Sequence, residues 1–415
     1  KTFSRWLQLL VLLLVGCPLG LRAQAEISGV YLTWREDPAT SMTINWISLY
    51  AGGTDSVWYR QAGAEWIQVK GTRAPLEPSG IWVRRAQLTG LSPETNYEFA
   101  IVDDVKTQGV ERFKFRTMPR EHVRPVTFVA GGDMMHTREL VDTMNKQAAK
   151  VDPDFALLSG DLAYANNVNA TRWVDFFQSW MLHMRGKDGR LVPMVVGIGN
   201  HEVVKGYNGR RDVEASQFYT LFDLPSGKAH YALDFGRYLS IIHLDSQHTE
   251  PIAGAQAAWL AETLAARAGQ TFVFPTYHYP AYGTAKGAGE GKLPSDHSRA
   301  IEIRTHWIPH FERHGVTAVL EHDHHTYKRT HRLLGHKRDD EHGLLYLGDG
   351  AWGVRTREVP PVADVWYLAK AEPTRHVFHV MLQPSGQVQI NAINERGEIF
   401  DQVELKTPRT RPAAK

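Results

Sequence analysis

Between residues 126 and 349, short apolar runs alternate with helical stretches, and five of the runs end in residues of the types that bind cations. The runs are VTFVAGG, FALLSG, PMVVGIG, LSIIHLD, TFVFPTYH, VTAVLE and GLLYLGD, and segments 138–150, 171–184, 254–268 and 298–314 carry the helical pattern between them. Alternation of this kind predicts an α/β domain with buried strands. Its strand ends read Gly132-Asp133, Gly160-Asp161-Leu162-Ala163-Tyr164, Gly199-Asn200-His201-Glu202, His278-Tyr279-Pro280 and Glu321-His322-Asp323-His324-His325. In open α/β folds the carboxyl ends of the strands carry the chemistry. Each end alone has an ordinary reading as a cap, a turn or a satisfied core histidine. Five in succession argue for a cation, because crowded carboxylates and imidazoles repel or stay unsatisfied unless positive charge neutralises them.

The set offers carboxylate, phenol, amide oxygen and imidazole but no thiol, which suits iron, manganese or zinc. It is also too rich for one ion. Two metals roughly 3.5–4 Å apart, bridged by one carboxylate, form a clamp for in-line displacement at phosphorus.

The chain has 415 residues, a prior for two or three domains, and a formal net charge of +2. That balance leaves no electrostatic footprint for nucleic acid or an anionic membrane. Residues 1–25 read as a secretory signal peptide: Lys1 and Arg5, an apolar run at 7–15, then Ala23-Gln24-Ala25. The run is too short to span a bilayer, which takes roughly 20 residues, so no integral membrane span is expected. Cleavage would remove Lys1, Arg5 and Arg22, bringing the charge to about −1, together with Cys17, the only cysteine. Export to the periplasm or the exterior is therefore expected without disulfides. The alternative is a lipoprotein anchored through Cys17 in Leu14-Val15-Gly16-Cys17.

Residues 26–118 show only short alternating strands and turns, as in a β-sandwich of roughly 100 residues. Met118-Pro119-Arg120-Glu121 reads as a linker to a second domain at 123–405, and 406–415 as a disordered tail. In LTGLSPETNY, Tyr97 looks like the tyrosine corner of a fibronectin type III domain, and Trp46 reads as core.

GGD, GDLAY, GNHE, YHYPAY and HDHHTYKR, in that order, resemble the motifs of the metallophosphoesterases, and within them the purple acid phosphatases, which carry an N-terminal fibronectin-like sandwich. The resemblance runs from about Ile27 to Leu405. It implies a catalytic α/β sandwich of two central sheets flanked by helices. It implies a first metal, iron, on Asp133, Asp161, Tyr164 and His325, and a second, iron, manganese or zinc, on Asp161, Asn200, His278 and Asp323. Tyr164 is the discriminating residue, since Met134 and Met135 follow Asp133 where most metallophosphoesterases have an Asp-x-His motif. Asp323 departs from the family, which has a histidine there; a register shift would make His322 and His324 the ligands instead. His136 offers an alternative to Tyr164.

The expected activity is hydrolysis of a small phosphomonoester by attack of a metal-bound hydroxide on phosphorus. His201 holds the phosphoryl group or protonates the leaving alcohol, and Glu202 orients His201. His297, in LPSDHSRA, reads either as a substrate contact or as a surface histidine ahead of a helix. Lys328 and Arg329 read as structural or charge-balancing. A phosphodiesterase or nucleotidase on the same site differs only in what the loops 206–211 and 283–292 admit. A secreted binding protein with a decayed phosphatase domain is the reading of another class. Substrate and oligomeric state stay open.

Overall fold

The computed structural model describes residues 27–206, 210–211, 213–286 and 291–407. The leader with Cys17 and residues 408–415 lie outside these, as do parts of both rim loops. Lys406 closes a strand, and Thr407 donates its N–H to the Gly386 carbonyl at 2.9 Å. The described chain therefore runs two residues into the expected tail.

The N-terminal part is a sandwich of two antiparallel four-stranded sheets. One has the order Gly29–Thr33, Met42–Ser48, Ile81–Leu88, Thr72–Leu76; the other Ile67–Lys70, Ser56–Gln61, Asn96–Ile101, Phe113–Arg116. Trp46, Phe99 and Phe115 fill its core. The Tyr97 hydroxyl accepts the Ser92 N–H at 2.9 Å, closing the tyrosine corner.

The second part packs a six-stranded sheet against a seven-stranded one. The six-stranded order is Met194–Gly197, Phe155–Ser159, Val126–Gly131, His376–Leu382, Gln387–Asn394, Ile399–Lys406. The seven-stranded order is Tyr231–Phe235, Leu239–His243, Phe272–Thr276, Val319–Leu320, Tyr346–Gly348, Tyr327–Thr330, Leu368–Glu372. Side chains alternate across a strand, so adjacent residues serve opposite faces. Ile241, Phe274 and Leu320 join the core between the sheets, while Ile242 and Val319 pack with Leu260, Ile303 and Phe311 of the helices Ala255–Ala266, Ser298–His306 and Ile308–His314. Helices Arg138–Lys150 and Thr171–His183 join the same core as the six-stranded sheet. The one helix expected over 298–314 breaks at Trp307, because Pro309 has no N–H to continue the ladder.

The linker does not dangle. Met118 is buried and bonded to the Pro38 carbonyl, and the Tyr238 hydroxyl donates to the Pro119 carbonyl at 3.1 Å. The sandwich docks through Tyr31, whose ring stacks 3.9 Å from Phe177 and whose hydroxyl donates to the Leu221 carbonyl at 2.6 Å. Tyr31→Phe keeps the stack but removes one of that carbonyl's two hydrogen bonds, the other coming from Arg85 at 3.0 Å, which should cost about 1 kcal/mol, read as a lower urea midpoint.

Candidate metal centre

The strands Val126–Gly131, Phe155–Ser159 and Met194–Gly197 run parallel, as do Leu239–His243, Phe272–Thr276, Val319–Leu320 and Tyr346–Gly348. Their carboxyl ends therefore meet along one edge of the two-sheet stack. The sheets are tied there by the Ser159 and Thr276 hydroxyls, 2.6 Å apart, and by His278 Nδ1, 3.0 Å from the Ser159 carbonyl. The second bond leaves His278 Nε2 facing the edge.

Just past the strands the backbone turns sharply. Asp133, Asp161, Tyr164, Asp323 and His325 all have left-handed backbone, with φ of 55°, 54°, 55°, 76° and 56°. For residues with a Cβ this costs about 1–3 kcal/mol each and marks sites where geometry is bought at the expense of stability. Gly199 and Gly350 make the close approach possible: a Cβ on either would run into the Asp161 or Asp133 carboxylate.

Two groups of donor atoms result. In the first, the Tyr164 hydroxyl is 3.1 Å from Asp133 Oδ1 and 3.0 Å from His325 Nε2, and that nitrogen is 3.0 Å from Asp133 Oδ1. In the second, His278 Nε2 is 3.2 Å from Asn200 Oδ1, 3.3 Å from Asp161 Oδ2 and 3.7 Å from Asp323 Oδ1. Neighbouring donors on an ion with bonds of about 2.1 Å at right angles lie about 3 Å apart, so both groups fit a small cation. Asp161 joins them: Oδ1 accepts the His201 N–H at 2.7 Å, while buried Oδ2 has no hydrogen-bond partner. Ligand atoms of Asp133, Asp161 and His278 all lie within 4.8 Å of one another.

The electrostatics call for positive charge. Burial pulls the His278 imidazole down, but the carboxylates of Asp161, Asp133 and Asp323 outweigh it and hold it up at about 10. Burial and the same three carboxylates push the Tyr164 phenol well above its ordinary value. Turning it into a phenolate takes a strongly acidic cation.

The HDHH segment places alternate side chains on opposite sides. Asp323 and His325 enter the cluster, whereas the His322 ring packs against Gly132 and His324 Nδ1 accepts the N–H groups of Thr284 and Ala285 at 2.9 and 3.1 Å. His136 does not reach the centre through Nδ1, which accepts the Arg355 N–H at 3.1 Å; its ring packs edge-on against Tyr164 and His325.

His201 stands at the mouth, its side chain 33% exposed, with Nε2 3.8 Å from Asp161 Oδ2. Glu202 does not orient it. The Glu202 carboxylate instead accepts the N–H groups of Asp161, Leu162 and Gly199 at 2.7, 2.8 and 2.8 Å, clamping two strand ends together. The residue that holds His201 is Asn166, whose Oδ1 is 2.5 Å from His201 Nδ1. His297 caps the helix Ser298–His306, as a histidine ahead of a helix, and it also lines a 160 Å³ cavity with Lys286, Asp323 and His324. Lys328 is ion-paired to buried Glu321 and Asp349, and Arg329 to Asp401, so both are structural. Among the described residues no helix is long and apolar enough to cross a membrane.

The profile of the calcineurin-like phosphoesterases matches residues 126–349, and that of the purple acid phosphatase N-terminal domain matches residues 27–117. An uncharacterised protein of Mycobacterium tuberculosis is 26% identical over 358 residues, 76% of this chain; the chain spans 64% of that relative's length. Purple acid phosphatase 23 of Arabidopsis thaliana is 26% identical over 379 residues, covering 75% of this chain and 76% of its own. The structure of a purple acid phosphatase from yellow lupin seeds matches with a TM-score of 0.75 at 16% identity, over 91% of this chain and 74% of its own. Two strand-end donor groups joined at Asp161 therefore sit in a chain that belongs to the calcineurin-like phosphoesterases, with the N-terminal domain of the purple acid phosphatases.

Proposed function

We propose that the protein hydrolyses small phosphomonoesters at a centre of two cations. The observation that carries this reading is the pair of donor groups sharing Asp161, whose Oδ2 is buried without a partner. In it, Asp133, Asp161, Tyr164 and His325 hold one ion, and Asp161, Asn200, His278 and Asp323 the other. When bound, the cations supply Lewis acidity, neutralising charge on the phosphoryl oxygens and acidifying water. The raised Tyr164 phenol favours a ferric ion at the first position, which a visible tyrosinate band would report and Tyr164→Phe would remove. Export through the leader pattern of residues 1–25 belongs to the same reading.

His201 is the proton donor to the leaving alcohol. Its side chain is one-third exposed at the mouth, and Asn166 Oδ1 accepts the proton of Nδ1, directing Nε2 toward Asp161 and the incoming ester. The cavity lined by His297, Lys286 and Tyr279 opens beside Asp323 and takes the rest of the substrate. His201→Ala should lower kcat on p-nitrophenyl phosphate by about 10²–10⁴-fold with cation content unchanged. Asn166→Ala should cost about 10–100-fold, as removal of an orienting partner does. A His201→Ala enzyme within a few-fold of wild type would sink the assignment.

A further inference from the structure

The loop 283–286 is built on His324. Besides accepting the amides of Thr284, Ala285 and Lys286 on Nδ1, at 2.9, 3.1 and 3.4 Å, that ring leaves no room for a Cβ on Gly283, whose carbonyl accepts the Tyr367 hydroxyl at 2.7 Å. Thr284 Oγ1 adds a bond to Asp349 Oδ2 at 3.0 Å. From this fixed base Lys286 reaches back into the centre, placing Nζ 2.5 Å from Asp323 Oδ1. Asp323 is buried, while the Lys286 side chain is 41% exposed, so the ammonium enters from the cavity and can retreat into it.

The oxygen that Lys286 holds is the one facing His278 Nε2 at 3.7 Å. An ammonium and a divalent cation cannot both sit on that oxygen without strong repulsion in a buried site. We propose that Lys286 is a built-in competitor for the second cation: its ammonium occupies Asp323 and must swing into the cavity before Asp323 ligates a metal. This rests on the two-cation reading, and it makes the two positions unequal. Among the described residues no lysine is hydrogen-bonded or ion-paired to the donor group of Asp133, Tyr164 and His325. Loading at the His278 side is set by the contest for Asp323.

Calorimetric titration of the metal-stripped full chain with Mn²⁺ tests this, comparing wild type with Lys286→Met, Lys286→Arg, Asp323→Asn and the Asp323→Asn/Lys286→Met double variant. Lys286→Met should tighten the weaker binding constant about tenfold, or create a second event that the wild type lacks, with the stronger constant unchanged. Lys286→Arg should stay within about threefold of wild type, and Lys286→Met should have no effect in the Asp323→Asn background. Lys286→Gln replaces Lys286→Met if the latter misfolds by circular dichroism. A weaker constant left unchanged or weakened by loss of the ammonium overturns the proposal while leaving the two-cation reading intact. No binding event in any variant overturns both.

Discussion

Asp161→Asn is expected to lower kcat/KM more than about a thousandfold, roughly 4 kcal/mol of transition-state stabilisation, and to strip most of the bound metal. Asp161 is the one side chain both donor groups need. The substitution preserves shape, and an amide oxygen can still take the His201 N–H now bound at 2.7 Å. What disappears is the negative charge of Oδ2, which faces His278 Nε2 at 3.3 Å. In the metal-free protein the substitution also removes the pairing with His278, whose imidazole, against the upward push of burial, holds the Asp161 carboxyl well below its ordinary value, so the variant should melt below the metal-free wild type. A lowered but still cooperative melt separates a metal-site lesion from misfolding. Atomic emission, kcat/KM and a melting curve on the same preparation decide it; two retained cations with activity within tenfold would refute the bridging role. Cation affinity should also rise with pH, by up to about tenfold per unit below pH 10, because binding must displace the proton that the three carboxylates hold on His278.

How much of this was legible beforehand follows from what each residue's position depends on. Strand ends are local: an apolar run that stops in Gly-Asp or Gly-Asn-His announces where it will deliver its polar groups. The side chains of Asp133, Asp161, Tyr164, Asn200, His278, Asp323 and His325 lie together at that edge. Alternation along HDHH then separates 323 and 325 from 322 and 324. The misreadings came where adjacency in sequence was taken for adjacency in space. Glu202 follows His201, but in the tight turn Asn200–Glu202 their side chains diverge, and Glu202 goes to backbone amides instead. Asn166 and Lys286 come from loops remote in sequence from His201 and Asp323, and no periodicity signals them. In the fold, Thr72–Leu76 was hidden because it is a largely exposed edge strand containing Pro75. The antiparallel strands from His376 to Lys406 were hidden because a search for strand and helix alternation passes over hairpins.

Lys328→Met is expected to destabilise the protein by about 3–5 kcal/mol, the cost of leaving buried charge without its partner. Lys328, Glu321 and Asp349 have no exposed side-chain surface, and one ammonium serves both carboxylates. Each acid has other donors: Glu321 takes the Tyr277 hydroxyl at 2.6 Å and the Ala281 N–H at 2.8 Å, and Asp349 takes the Thr284 hydroxyl at 3.0 Å. Methionine matches the lysine stem in volume, so no cavity opens and the loss is electrostatic. The pH dependence carries the proof. Burial already pushes the Asp349 carboxyl up to about 7 against the pull of Lys328, and without the lysine it rises further. A carboxyl whose folded value is raised binds its proton more tightly when folded, so its contribution is favourable at low pH and is lost as pH rises past the unfolded value near 4. The deficit of Lys328→Met should therefore be smaller at pH 5 than at pH 8, by up to about 1.4 kcal/mol per pH unit over the range in which Asp349 titrates, whereas a packing defect would not move. Adding Glu321→Gln and Asp349→Asn should restore most of the loss, since a fully neutral network leaves no charge unpaired. Denaturant unfolding at the two pH values distinguishes these outcomes, and a deficit independent of pH would show that the triad acts through packing alone.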